Sequence, residues 1–145
     1  MENTRADKSI KRLDNLFDQL AKEIKENPKG GPVFSMFRKY LNTLDSCVAI
    51  VTKDKELVFI NQRIRERLIE LGVDPDSMIY SPCLGVQKGC GLINNCPLEQ
   101  AIETNKIITR CNVDSPISDK KYHVTCMPLK HNGTSAVIEM WIEVD

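Results

Sequence analysis

Asn132-Gly133 stands between two runs of strand-type residues. Asn and Gly both tolerate the positive φ that a two-residue hairpin turn requires, so the flanking runs pair antiparallel. Lys120 to Leu129 precedes the turn, and Ser135 to Val144, rich in Val, Ile and Trp, follows it. Lys106 to Val113 joins the first of these runs through Asp114-Ser-Pro-Ile-Ser-Asp119. The C-terminal third is therefore three antiparallel strands. A second hairpin lies earlier, where Cys47-Val-Ala-Ile-Val-Thr52 and Leu57-Val-Phe-Ile60 flank the turn Lys53-Asp54-Lys55. Two strands and then three imply one five-stranded antiparallel sheet.

Helical signals fill the gap. Asn61 is a good N-cap, and Gln62 to Leu71 places Ile64, Leu68 and Leu71 on one face before Gly72 closes it. Pro97 suits a first helical position, where its missing N–H costs nothing. The helix it opens runs to Thr104, ends at Asn105, and turns Leu98, Ala101 and Ile102 inward. These helices must cover one face of the sheet, which makes the fold α+β. Ahead of the strands, 7–26 reads as an amphipathic helix with Ile10, Leu13, Phe17, Leu20 and Ile24 spaced 3, 4, 3, 4. That spacing suits a homodimer seam, and it equally suits a helix lying on its own domain. The cluster Asn27-Pro28-Lys29-Gly30-Gly31-Pro32 breaks the chain, dividing a helix and linker (1–31) from a globular domain (32–145). Phe34 to Leu44 is a second, short helix.

With 145 residues the chain can bury roughly 70% of its unfolded surface without a staple. Its 20 basic and 20 acidic residues cancel, so nothing draws the whole domain to nucleic acid or to an anionic membrane. Arg63, Arg65 and Arg67 are interleaved with Glu66 and Glu70. MENTRADKSIKR is too polar for a signal peptide, and no apolar run approaches the ~20 residues of a membrane span. A cytoplasmic location is expected. Phosphate-loop and nucleophile-elbow motifs are absent.

From about residue 36 onward the chain resembles a PAS domain. The resemblance rests on element order, on LVFIN with Asn61 opening a helix, and on KYHVTCMPLKHNGTSAVIEMWIEV. CPLEQAIETNK resembles a tract of one cysteine-rich PAS subgroup, in which a cysteine turn precedes a CPL helix start. Here the last gap is five residues, GLINN, where that subgroup has C-x-x-C before the proline. The resemblance implies a sensory or dimerisation module, itself not an enzyme. It would be part of a larger regulator and would signal to a kinase, cyclase, transcription factor or chemotaxis partner. A larger parent chain is expected.

Six cysteines in a reducing compartment read as metal or redox groups more readily than as structural disulfides. Cys83, Cys90 and Cys96 share one Gly- and Asn-rich loop, spaced C-x₆-C-x₅-C. Soft thiolates suit zinc or an iron–sulfur cluster, and either usually takes four ligands. Cys111 is the expected fourth, with Cys126 and His123 in reserve. Cys96 at a helix start could instead be a low-pKa thiol paired with Cys83 or Cys90. The plainer alternative is a cofactor-free dimerisation or small-ligand module whose cysteines only pack, most naturally Cys47 and Cys126 inside strands. NNCPLEQ also resembles the light-sensing flavin subgroup, but Cys96 stands too close to the next strand, and WIEVD offers no Asn or Gln for a flavin edge. No C-x-x-C-H occurs, so the sequence gives no sign of covalent c-type haem. An enzyme using Cys96 as nucleophile ranks last, since His123 is its only candidate base.

Overall fold

A computed structural model of the chain describes residues 5–26, 31–79, 96–115, 119–130 and 134–144, with 5–14 and 134 as backbone only. Among the described residues the strands are β1 (Cys47–Thr52), β2 (Leu57–Ile60), β3 (Ile108–Asp114), β4 (Lys121–Lys130) and β5 (Thr134–Glu143). All pairs are antiparallel, and the order is β2-β1-β5-β4-β3. The last strand in sequence is thus the central one. It is bonded to β1 with Ile50 opposite Ile138 and to β4 with Cys126 opposite Glu139.

The helices are α1 (Arg5–Glu26), α2 (Pro32–Leu41), α3 (Gln62–Glu70) and α4 (Pro97–Thr104), with a 3₁₀ turn at Pro75–Met78 capped by Asp74. Their ends follow local chemistry. The Asn61 side chain accepts from the Ile64 N–H at the start of α3. At its end Gly72 takes φ +76, while Gly72 N–H bonds Ile69 O and Val73 N–H bonds Leu68 O. Those two bonds make a Schellman stop, which glycine forms without strain. Asn105 ends α4 in the left-handed region.

The two faces of the sheet bury different cores. Cys47, Ala49 and Val51 face α3, the 3₁₀ turn and α4. Val48 and Ile50 face the opposite way, toward Leu20, Ala21 and Ile24 of α1 and Phe34 and Leu41 of α2. The helices between β2 and β3 cover one face, as expected, and the two N-terminal helices cover the other. The cause is in β1 and β2, where nearly every residue is apolar and buried. A strand apolar on both sides must be covered on both sides.

Three polar groups fasten the outer layer. Asn61 is fully buried; its amide nitrogen donates to the carbonyls of Leu41 (3.0 Å) and Ser46 (2.8 Å), and its oxygen accepts from Val48 N–H (3.0 Å). The Ser135 hydroxyl donates to the Ala21 carbonyl at 3.0 Å, tying β5 to α1. Glu23 of α1, also buried, accepts from the Val33 (3.3 Å) and Phe34 (2.9 Å) N–H groups and so caps α2 from outside. A Cβ on Gly31 would meet that carboxylate, so a larger residue here would displace the Glu23 side chain from its place.

Candidate functional site on the inner sheet face

The face under α3 and α4 carries the candidate chemistry. Alternation along β4 turns Tyr122, Val124 and Cys126 toward it, and alternation along β5 does the same for Val137, Glu139 and Trp141. From the other side comes α4. Cys96, its N-cap residue, packs half-buried against this core and makes no capping hydrogen bond with its side chain. Opposite ends of the site hold α4 in place. Lys55 in the β1–β2 turn pairs with Glu99, and Arg110 of β3 donates to Gln100.

The electrostatics follow from burial. Cys126 is wholly buried, and desolvation pushes its thiol far above the ordinary value. Glu139 and Cys96 nearby push the same way, while Arg110 opposes them. Cys47 is also raised, first by burial and then by Glu143, against the lowering pull of Arg63 and Arg67. Burial raises the Glu139 carboxyl as well, and the Trp141 indole N–H, which donates to it, holds it back. These are thiols and a carboxyl kept toward their neutral forms, which suits a dry site.

The expected ligand residues are distributed unevenly. Cys83 and Cys90 lie outside the described residues. Cys96 and Cys126 share the inner core, and Cys47 joins them. Cys111, the expected fourth ligand, is exposed on the edge strand, inside the bulge between Arg110 and Val113 where Asn112 has φ +55. His123 alternates with Tyr122 and Val124, so it belongs to the other face of the sheet; its buried Nδ1 has no hydrogen-bond partner among the described residues. Among the described residues no group of three Cys, His, Asp or Glu side chains is arranged to hold a metal ion. The four described cysteines are all free thiols. In α1, Leu20 and Ile24 are buried against the chain's own sheet, and Phe17 packs on Phe37 with ring centroids 5.6 Å apart. The side chains of Ile10 and Leu13 lie outside the described residues.

Glu139 was not anticipated. Its signal was available, since Val137, Glu139 and Trp141 alternate along one face of a strand otherwise rich in apolar residues.

No family model and no curated protein matches the sequence. Solved structures do match the fold. The PAS domain of BvgS from Bordetella pertussis aligns with a TM-score of 0.55 at 10% identity, over 77% of this chain and 85% of that one. For the PAS domain of nitrogen regulation protein NR(II) from Vibrio parahaemolyticus the values are 0.55, 12%, 75% and 98%. A sensory box sensor histidine kinase from Vibrio cholerae gives 0.54, 16%, 77% and 89%. The fold is the PAS fold. Identities this low carry the architecture across and leave the chemistry of the site to be argued from its own residues. In PAS terms, the inner face is the wall under the helices between β2 and β3. Among the described residues no helix is long and apolar enough to cross a membrane.

Proposed function

We propose that this chain is a cytoplasmic sensory module that passes a signal to an output domain or partner, and that its signal is read by cysteines around the start of α4. The observation that carries the proposal is Cys96 at the N-cap of α4, packed on the same core as Cys126. Thiol oxidation or metal capture at Cys96, with Cys83 and Cys90 from the same loop, would pull the start of α4. Cys126 replaces Cys111 as the fourth thiol in this proposal, because Cys111 is exposed and Cys126 is not. A thiolate site of this kind suits zinc or an iron–sulfur cluster, and metal capture would release the thiol protons, including the one that burial favours on Cys126. Moving α4 shifts its contacts with β4 and β5. Those strands also carry α1, so the two states differ in how the N-terminal helix is seated. The module itself carries no proposed catalytic step.

Two measurements test this. Protein purified without oxygen is expected to contain zinc or iron in stoichiometric amount, or else to form a disulfide among Cys83, Cys90 and Cys96 under mild peroxide, seen by mass spectrometry. Metal-free protein whose three thiols stay reduced and whose melting temperature ignores both chelator and peroxide would overturn it. That result would favour a cofactor-free binding or dimerisation module, a reading to which the deep burial of Cys47 and Cys126 already lends weight. Homodimerisation through the Ile10–Ile24 stripe is part of the proposal, and light scattering reads it directly.

A further inference from the structure

Glu23 is a carboxylate enclosed between two helices, only 7% exposed. It leaves α1 and reaches the start of α2. One oxygen accepts from the Phe34 N–H (2.9 Å), the other from the Val33 N–H (3.3 Å) and the Gln19 side-chain amide (3.1 Å). Gly31, the N-cap residue of α2, has no side chain with which to supply that acceptor. The donors at the start of a helix need one, and a negative charge there also meets the favourable end of the helix dipole. Here a different helix provides both. At a second point α1 is held by the Ser135 hydroxyl of β5, which donates to the Ala21 carbonyl (3.0 Å). The rest of the seat is apolar, with Leu20, Ala21 and Ile24 in one core with Phe34, Ile50 and Ile138. The far end of α2 is fastened separately. Asn61 donates to the Leu41 carbonyl (3.0 Å), and Asn42 accepts from the Gln62 N–H (2.8 Å) at the start of α3.

We infer that Glu23 makes the outer coat a two-position device: 15–26 of α1 and the whole of α2 lift from the sheet as one unit, hinged at the C-terminal end of α2, and return as one unit. A carboxylate shifted off the Val33 and Phe34 N–H groups but still enclosed has neither partners nor water, which is costly. Moving α1 alone also leaves the first turn of α2 uncapped beside an apolar core. Partly seated positions are therefore disfavoured, and the seat of α1 is all or none. Release bares Ile50 and Ile138 on the outer sheet face and presents α1 to the output domain or partner. The signalling role of this device rests on the reading that the seat of α1 carries the signal, but the device itself uses none of the cysteines.

Native-state amide hydrogen exchange of the full chain, followed by mass spectrometry over a range of low urea, tests this. In the wild type, 15–26 and 33–41 are expected to share one opening free energy and one urea slope, both below those of β4 and β5. Ser135→Ala removes a bond to α1 and none to α2, yet exchange should rise about fivefold in both segments. Glu23→Ala should likewise speed both by about fivefold or more and leave β4 and β5 unchanged. Gly31→Ala, whose Cβ displaces the carboxylate, should reproduce that result and serves if Glu23→Ala fails to fold. Glu26→Ala, at an exposed carboxylate of the same helix, should alter neither segment. Acceleration confined to 15–26 in Ser135→Ala, or to 33–41 in Glu23→Ala, overturns the inference and leaves Glu23 a local cap. So does a wild type in which the two segments exchange only together with the whole sheet. Cys83→Ser/Cys90→Ser/Cys96→Ser should keep the paired opening, so failure of the thiol proposal and failure of this device are distinguishable.

Discussion

A half-buried acid that is hard to ionise makes its own pH signature. The Glu139 carboxyl is raised above the value it has in the unfolded chain, so the native state holds its proton over a range where the unfolded state has lost it. Stability contributed by this group is full below the unfolded value and falls as pH rises through the native one. Glu139→Gln should therefore stabilise the fold at neutral pH and leave it little changed in acid; denaturant melts at both pH values check this. Asn61 makes the opposite case. Asn61→Ala would strand the Leu41 and Ser46 carbonyls and the Val48 N–H in the interior. A loss of about 3 kcal/mol or more in urea unfolding is expected. As an N-cap Asn61 could be read in the sequence; as a knot between α2, β1 and α3 it could not, because partners far apart in the chain leave no local trace. Cys111 and Cys126 show the same limit. Strict alternation describes β4, but the bulge at Asn112 shifts the register of β3 and leaves Cys111 exposed. A bulge without glycine gives no warning in sequence.

At the level of elements, periodicity served well where each element answers to one surface. The strands, α3 and α4 fall close to where alternation and capping residues put them. For α1 the stripe could be read but its partner could not, since an apolar face looks the same whether it meets a sheet or a second copy. Leu20 and Ile24 are used within the chain, each worth ~1.5–3 kcal/mol on burial. Leu20→Asp should accordingly lower stability by at least ~3 kcal/mol at every protein concentration. A helix serving only as a dimer seam would instead give a folded monomer with its melting temperature intact. Calorimetry at two concentrations distinguishes these outcomes. The second core escaped the sequence reading for a related reason. β1 and β2 are apolar at nearly every position, and that pattern marks a doubly covered strand only once its neighbours are known.

The molecule is three layers with one sheet between two unlike coats, and β5 is the piece both coats share. Its residues alternate between the cores, Val137 and Trp141 toward α4, Ala136 and Ile138 toward α1 and α2. Removing 134–144 should leave no cooperative thermal transition by circular dichroism, because β1 and β4 each lose the neighbour that joins them. The ribosome meets this constraint every time it makes the chain. Both flanking hairpins can emerge early, but they have nothing to clasp until the closing strand clears the exit tunnel. Nascent chains of this protein therefore carry two open sheet edges until β5 emerges, and it is in that interval that chaperones would find them.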